Sequence, residues 1–382
     1  MQTALNRRAV LRLLGAAGGS YPLGMALAAP GSSHELEGPR LVVVMLRGAL
    51  DGLAAVPAPG DPAWAALRTD EHAAAAALPL DSIFAMHPAL SNLHRWYTRK
   101  ELLVVHATAS PYRERSHFDA QQLLESGGER PFVLSTGWLG RALHASDKRA
   151  IAITAAMPLA LRGAEGASTW TPDLRRPVDQ DLMSRVAQMY RRDGPLAAAF
   201  GEVAVQKDMA MGADSGPGFA SLARQAGVFL ADPNGPRVAW LEAGGWDTHA
   251  NQHARLERLL VGLDEALAAL REGLGAQWAN TTVLVMTEFG RSARFNGSGG
   301  TDHGTGGVAF IAGGRVAGGT VLTDWPGLSD RQLFEGRDLK PTIDLRSVMV
   351  PIVQRQFGLD LSQIQSNILP GAVATRHPLW RA

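Results

Sequence analysis

Cysteine is absent from the 382-residue sequence. This absence excludes disulfide bonds, a thiolate nucleophile and cysteine-ligated zinc. Any metal ion that this chain binds must therefore be held by histidine, aspartate, glutamate or other oxygen donors.

An excess of charge of one sign is also lacking. The formal net charge is +1, and no long basic run follows the first dozen residues. Proteins that bind nucleic acid through its phosphates typically have a basic patch or a basic run of sequence. We therefore expect no nucleic-acid partner.

Long apolar runs are missing from the N-terminal segment, which is broken at Arg12 and Pro22. A stable membrane span needs about 20 consecutive apolar residues, so we expect none here. The segment has paired arginines, Arg7 and Arg8, and its apolar part ends in small residues around Ala28. This pattern is typical of a twin-arginine export signal. The alternative is a disordered, mildly basic tail.

The expected signal covers residues 1–30. The twin-arginine export machinery would then be a partner, and the mature protein would be periplasmic or secreted. The twin-arginine route transports folded cargo, which suits a protein that acquires a cofactor before export.

What is present is the composition of a folded domain, with 46% hydrophobic and 19% charged residues. Apolar, β-branched runs alternate with helical patterns, which predicts a doubly wound α/β fold with a mostly parallel sheet and helices on both faces. The strand-like segments lie within 39–52, 101–109, 149–163, 237–245, 281–291 and 308–314. We interpret about 165–230 as a helical insertion in a single domain of residues 31–382.

Carboxylates and histidines follow most of the predicted strands. The candidate metal ligands are Asp51, Asp247, His249, Glu288, Asp302 and His303, and the segment after the second strand adds Arg113, Arg115, Ser116 and His117. Ligands of open parallel sheets bind beyond the carboxyl ends of the strands. If these side chains meet at one edge, oxygen and imidazole donors suit a divalent cation such as zinc, manganese, magnesium or calcium.

Each candidate also has a purely structural interpretation. Asp51 precedes a glycine and could belong to a turn, while Ser116 and Asp247 could cap the helices that follow them. His117 could be a satisfied core histidine, and Glu288 could pair with a nearby arginine. The glycine-rich loop GSGGTDHGTGG does not lead from a strand into a helix, so it is not a nucleotide-binding fingerprint.

Several motifs, in their order along the chain, resemble a family of secreted bacterial proteins labelled domain of unknown function 1501. They are LVVVMLRGALDGLAAVPAPGDPAWAALR, MHPALSNLHRWY, LLVVHATASPYRERSHFDAQQLLESG, GGWDTHANQ and TEFGRSARFNGSGGTDHGTGGVAFIAGG. The resemblance covers nearly the whole chain. That family is similar to the alkaline phosphatase and sulfatase superfamily, in which a metal site and a serine, threonine or modified cysteine nucleophile lie at the strand ends of a doubly wound sheet.

The resemblance implies roles for individual residues. Ser116 would be the nucleophile, and Arg113 or Arg115 would hold an anion. The implied metal ligands are Asp51, Asp247, His249 and His303. At one place the sequence departs from the superfamily, because an expected Asp-His pair is replaced by Glu288 and Phe289. Phe289 cannot bind metal.

These observations predict an exported, metal-dependent hydrolase of phosphate or sulfate esters that acts on a small-molecule or polymer ester. Ser116, Arg113, Arg115 and His117 would have the catalytic roles. The alternative is a non-catalytic exported binding or assembly protein that keeps the hydrolase fold without its full site, and Phe289 favours this alternative.

Overall fold

The computed structural model describes residues 38–68, 77–172 and 218–381. The predicted export signal, residues 1–30, lies outside the described residues, as do residues 173–217 of the predicted insertion. Near the two ends of that insertion the structure has a short strand, Ala167–Thr169, and a helix, Phe219–Ala231. Within the described ranges, none of the helices has the length and apolar character that a membrane crossing requires.

Nine strands of the described residues form one sheet. In chain order the strands are β1 (Arg40–Leu46), β2 (Leu78–Pro79), β3 (Ala85–Met86), β4 (Leu102–Ala109), β5 (Ala150–Ala152), β6 (Ala167–Thr169), β7 (Val238–Ala243), β8 (Thr281–Thr287), β9 (Gly307–Ala312), β10 (Thr320–Leu322) and β11 (Ile343–Asp344). The order across the sheet is β10-β4-β9-β8-β1-β7-β5-β6, with β11 also paired to β4, and β2 and β3 form a separate pair.

All pairings in the large sheet are parallel except those of β9, which runs antiparallel to β4 and β8. The predicted mostly parallel α/β sheet is therefore confirmed.

Strand β1 shows why this sequence forms a sheet that is covered on both sides. From Leu41 to Leu46, every residue is apolar and at most 1% exposed. The side chains on one face are Val42, Val44 and Leu46, and those on the other are Leu41, Val43 and Met45. Successive side chains of a strand point to opposite faces. An uninterrupted apolar run is therefore what a strand between two layers of helices requires.

Helices supply the other half of both cores. Their bounds are α1 (Gly52–Ala55), α2 (Trp64–Leu67), α3 (Ser91–Thr98), α4 (His117–Ser126), α5 (Trp138–His144), α6 (Phe219–Ala231), α7 (Gln252–Leu274), α8 (Leu345–Phe357) and α9 (Leu361–Gln363), with 3-10 turns at Leu159–Leu161 and Gly275–Asn280 and a π turn at Ile364–Ile368. Helices α3, α6 and α7 pack on one face of the sheet, and α5 and α8 on the other.

Helix α4 begins directly after Ser116, the residue that the sequence suggests as its N-cap. It begins at His117 because Arg115 has a φ of 60°, outside the helical region. It ends at Gly127, whose φ of 71° is the left-handed conformation that commonly closes a helix. Residues 110–116, between β4 and α4, form an irregular connection.

One edge of the sheet collects the ends of several strands. Strands β1, β4, β7 and β8 all run in the same direction, so their carboxyl ends lie at the same edge. Because β9 runs the other way, the chain enters β9 from that edge too. We call it the carboxyl edge. The loop of residues 288–306, between β8 and β9, therefore lies there as well.

Candidate metal centre

Three imidazole rings and one carboxylate meet at the carboxyl edge. The Nε2 atom of His303 lies 3.0 Å from Nε2 of His117 and 3.0 Å from Nε2 of His249. Asp247 Oδ1 lies 3.0 Å from His249 Nε2 and 3.3 Å from His303 Nε2. Asp247 Oδ2 lies 3.6 Å from His117 Nε2. We call these four side chains the His/Asp cluster.

The cluster is assembled from three strand ends. His117 is the first residue of α4, which follows β4. Asp247 and His249 follow β7, and His303 lies in the loop that leads into β9. Asp247 does not cap α7, because the N-cap residue of that helix is Asn251 and no side chain makes a capping hydrogen bond there.

The second nitrogen of each ring faces an oxygen acceptor. The Nδ1 distances are 2.7 Å from His117 to Glu288 Oε1, 3.3 Å from His249 to Asp302 Oδ1, and 2.9 Å from His303 to the carbonyl oxygen of Arg115. Carbonyl and carboxylate oxygens only accept, so Nδ1 holds the proton in each ring. The Nε2 atoms of neutral rings then present lone pairs to one another, an arrangement that a shared cation could stabilise.

The donor spacing fits a small divalent cation. Bonds of about 2.0–2.1 Å in a tetrahedral site separate neighbouring donor atoms by about 3.3 Å. The separations that join His303 Nε2 or an Asp247 oxygen to the other donor atoms run from 3.0 to 3.6 Å. Donor atoms of His117, Asp247 and His303 all lie within 4.8 Å of one another. These residues could therefore hold a metal ion.

A buried arginine fixes the carboxylate of the cluster. Arg291 is 1% exposed, and its Nη1 donates to Asp247 Oδ1 at 2.5 Å. Its other nitrogens donate to the hydroxyl and carbonyl oxygens of Thr301. Burial raises the pKa of Asp247, but the hydrogen bond and charge of Arg291 outweigh burial and lower it. Asp247 is therefore ionised at neutral pH and ready to bind a cation.

Glu288 orients His117 from behind. Its Oε1 accepts hydrogen bonds from the backbone nitrogen of Gly48 at 2.8 Å and from Gln121 at 2.9 Å, besides facing His117. Burial raises the pKa of Glu288, but these hydrogen bonds outweigh it and lower the pKa. The hydrogen bond to Glu288 in turn raises the pKa of His117. Glu288 thus contacts Nδ1 of His117 and not the Nε2 atoms of the cluster, although the sequence predicts it as a metal ligand.

Asp302 contacts Nδ1 of His249 in the same way that Glu288 contacts His117. Its Oδ1 accepts from Asn296 at 3.0 Å, and this hydrogen bond lowers the pKa of Asp302. Phe289 follows Glu288 directly and is 3% exposed. Its ring stacks on His117, with centroids 4.9 Å apart and an interplanar angle of 29°. It supports a ligand ring instead of binding metal.

Asp51 is not brought into the cluster. It is 1% exposed and forms a two-point ion pair with Arg68, with distances of 2.8 and 3.1 Å. Gln252 also donates to Asp51 at 2.7 Å, and the backbone of Ala54 donates at 3.1 Å, so Asp51 caps α1. Its oxygens are fully used by protein donors. The turn interpretation describes its contacts better than the ligand interpretation.

The arginines expected to hold an anion have other partners. Arg115 pairs with Asp338 at 2.8 Å and with Glu335 at 2.5 Å. Arg113 donates to the carbonyl oxygen of Tyr112 at 2.7 Å and to that of Ser110. The backbone of Arg115 nevertheless contributes to the site, because its left-handed φ directs its carbonyl at His303.

Ser116 stands at the N-cap position of α4, directly before His117. Its side chain makes no capping hydrogen bond with the helix. The predicted nucleophile is therefore adjacent in sequence to a cluster ligand, with its hydroxyl not committed to the cap.

Glycines in the loop before β9 permit the cluster to form. A side chain at Gly300 would collide with the backbone of His249, and one at Gly304 would collide with the carbonyl of Arg291. The loop can therefore lie directly against the two segments that supply Asp247, His249 and Arg291.

Sequence reasoning missed two supporting side chains, Gln121 and Asn296. Gln121 lies four residues after His117 on α4, and that spacing places two side chains on the same helix face. The four-residue spacing from His117 could therefore have identified Gln121 from the sequence. Asn296 lies in an irregular loop and had no such signal.

Comparison with known proteins gives the family. A family model described as "Protein of unknown function (DUF1501)" matches residues 105–368. No curated protein matches the sequence.

Several solved structures are similar over most of the chain. The C-terminal periplasmic domain of EcEptC from Escherichia coli, in complex with Zn, is 9% identical, with a TM-score of 0.39 and coverage of 73% of this chain and 74% of that one. A 2-O GAG sulfatase is 11% identical, with a TM-score of 0.36 and coverage of 75% and 66%. An alkaline phosphatase from the Antarctic bacterium TAB5 is 12% identical, with a TM-score of 0.35 and coverage of 72% and 92%.

At these TM-scores the likeness gives no information about what the present chain does. The family model, in contrast, matches well over half of the sequence. This chain therefore belongs to the DUF1501 family, as its motifs predict.

Proposed function

We propose that this chain binds a divalent metal ion in the His/Asp cluster and uses it to hydrolyse phosphate or sulfate esters. The observation that supports the proposal is the convergence of three imidazole Nε2 atoms and the Asp247 carboxylate, with each ring fixed through its Nδ1. Imidazole ligands suit zinc, whereas magnesium, calcium and manganese prefer sets of oxygen donors. Of the expected metals, zinc therefore fits best.

Access to solvent favours chemistry over a structural role. Structural zinc sites are closed, whereas catalytic ones keep a position open. The side chains of Asp247 and His249 are 42% and 45% exposed, so small molecules can reach the cluster. A bound cation would lower the pKa of a hydroxyl group and screen the oxygen that leaves.

The chain's own residues divide the remaining work. The Ser116 oxygen would lose its proton to solvent and form a bond to phosphorus or sulfur while the bond to the ester oxygen breaks, and that oxygen would leave as an alcohol with a proton from solvent. Water would then attack the phosphorus or sulfur, break its bond to Ser116 and release phosphate or sulfate with the hydroxyl regenerated. Arg291 keeps Asp247 ionised and in position, and Glu288 keeps the proton of His117 on Nδ1. The substrate would be a small-molecule or polymer ester.

We also propose that the protein acts in the periplasm or outside the cell after twin-arginine export. The paired Arg7 and Arg8 and the small residues near Ala28 support this localisation.

A second candidate function is metal or ligand binding without turnover. Two observations favour it: Arg113 and Arg115 are engaged by protein acceptors, and Phe289 supports His117 where a second metal ligand would be expected. A protein with this function would bind the metal ion but hydrolyse no ester.

The test measures metal and turnover on the same sample. The purified protein is analysed for bound metal by mass spectrometry and assayed with p-nitrophenyl phosphate, bis-p-nitrophenyl phosphate and p-nitrophenyl sulfate, before and after a chelator. We expect bound zinc, with activity that chelation removes and zinc restores. Bound metal without turnover would favour the binding function. A folded protein with neither metal nor turnover would contradict both.

Variants locate the site. Asp247→Asn and His303→Ala should lose metal and activity together. Asp330→Asn is the matched control, because Asp330 also pairs with an arginine, at 2.6 Å, but is 75% exposed. This control should keep both.

A further inference from the structure

We propose that Phe118, Phe132 and Val133 form a platform that binds the apolar face of a ring in the group esterified to the phosphate or sulfate. We call these three residues the aromatic patch. The inference rests on the proposed function and names the kind of substrate that the site would accept.

The patch exposes an unusual amount of apolar surface. Phe118 is 74% exposed, Val133 is 65% exposed and Phe132 is 57% exposed. The two phenylalanine rings contact each other, with centroids 5.4 Å apart and an angle of 34° between the planes. Single exposed apolar side chains are common, but a contiguous exposed group more often marks a binding surface.

The backbone of Phe132 is held in a strained conformation. Its φ is 61°, in the left-handed region that bulky residues rarely adopt. Gln122 of α4 holds it there: Oε1 accepts from the backbone nitrogen of Phe132 at 2.7 Å, and Nε2 donates to the carbonyl of Leu134 at 3.0 Å. Since the ring of Phe132 is mostly exposed, its own burial does not offset the strain. Strain of this kind is concentrated at functional sites.

The position of the patch indicates its occupant. Phe118 follows the cluster ligand His117 directly, and the Cα atoms of neighbouring residues are 3.8 Å apart. Gln122, which holds the other ring, lies one helical turn further along α4. Neighbouring side chains on a helix point about 100° apart, so the rings lie beside the cluster, and the non-reacting group of an ester bound there would extend along α4 to contact them. Aromatic side chains bind the flat faces of rings by stacking, and aromatic and sugar rings share such faces.

The experiment measures binding, so it does not depend on turnover. Calorimetry with the zinc-loaded protein compares phenylphosphonate, a hexose phosphate and ethylphosphonate, and then phenylsulfonate and ethylsulfonate. We expect at least one ring ligand to bind several-fold more tightly than its ethyl counterpart. Phe118→Ala should raise the Kd of that ring ligand by about three- to tenfold and leave ethyl-ligand binding unchanged.

Phe132→Gly is a second variant that removes a ring without disturbing the fold, because glycine adopts the left-handed region readily. It should weaken ring binding without lowering the melting temperature. Val261→Ala is the control, since Val261 is also exposed, at 38%, but lies on α7, which packs on the face of the sheet opposite to Leu124 of α4. It should leave the Kd of every ligand unchanged.

Several outcomes would overturn the platform. Equal affinity for ring and ethyl ligands would do so, even if ester hydrolysis is observed and the proposed function stands. Absence of binding by any of the ligands would overturn it as well, and together with absence of turnover would reject the hydrolase. A dimer in sedimentation velocity that Phe118→Ala abolishes would show that a second copy of the chain occupies the patch instead.

Discussion

Replacing Asp51 by asparagine separates a structural role from a role in metal binding. Asp51 and Arg68 form a buried pair whose side chains are 1% and 4% exposed. The substitution keeps the shape of the side chain but removes its charge. Arg68 would keep its hydrogen bonds to the carbonyls of Ala293 and Ser292 but would lose its counter-charge.

The size of the effect follows from that burial. Removing one partner of a buried ion pair costs about 3–5 kcal/mol, because the remaining charge is left unpaired in a low-dielectric region. Asparagine can still cap α1 through its side-chain oxygen, so no capping loss is added. We therefore expect Asp51→Asn to lower the free energy of unfolding by about 3 kcal/mol while the zinc affinity stays within about twofold of that of the original protein.

Urea unfolding followed by circular dichroism measures the first quantity, and competition with a chromophoric zinc chelator measures the second. Asp330→Asn serves again as the control, since an exposed ion pair contributes at most about 1 kcal/mol. Loss of zinc binding in Asp51→Asn with unchanged stability would refute the reasoning. It would restore Asp51 as a metal ligand.

Three further predictions concern other parts of the molecule. Burial lowers the pKa of His106 from 6.5 to about 4. Below pH 6.5 the unfolded chain binds a proton at His106, whereas the folded chain binds it only near pH 4. This difference contributes about 3 kcal/mol to the free energy of unfolding above pH 6.5. The contribution is lost as the pH falls from 6.5 to about 4. Urea unfolding at pH 7 and at pH 4 should show this loss to be larger in the original protein than in His106→Gln. Gly304→Ala should weaken zinc binding about tenfold or more, because the added methyl group displaces His303. Loss of the groups that orient metal ligands has effects of this size. An unchanged zinc affinity in the chelator competition would contradict this prediction. Glu288→Gln should lower zinc affinity by about 10- to 100-fold, since it removes the charged acceptor that orients His117. Asp302→Asn provides the comparison, because Asp302 is the acceptor that contacts His249 and is more exposed than Glu288.

Local sequence patterns were sufficient for the architecture. The runs Leu41–Leu46 of β1, Leu102–Val105 of β4 and Val283–Met286 of β8 are apolar at every position, and this pattern alone predicts strands buried on both faces. The end of α4 also has a signal in residue type, because glycine readily adopts the left-handed conformation of Gly127. The start of α4 was predicted as well, because serine favours the N-cap position and the helix begins directly after Ser116. The position of polar residues after strand ends was also visible, since it depends only on where each apolar run stops.

The sequence did not predict which of those polar residues would join the cluster and which would form buried ion pairs. Asp51 and Asp247 both follow an apolar strand, yet one is paired with Arg68 inside the protein and the other faces a solvent-exposed cluster. The difference arises from partners distant along the chain: Gln252 lies 201 positions from Asp51, and Glu288 lies 171 positions from His117.

The sequence by itself determined that strands would be buried on both faces and that acidic and imidazole groups would follow them, because apolar periodicity and chain order act locally. The tertiary structure decided which of these groups meet. His303 precedes its strand, so a parallel β9 would have placed it at the opposite edge of the sheet. Its presence in the cluster depends on the antiparallel pairing of β9 with β4 and β8, and strand direction is set by packing across the whole sheet.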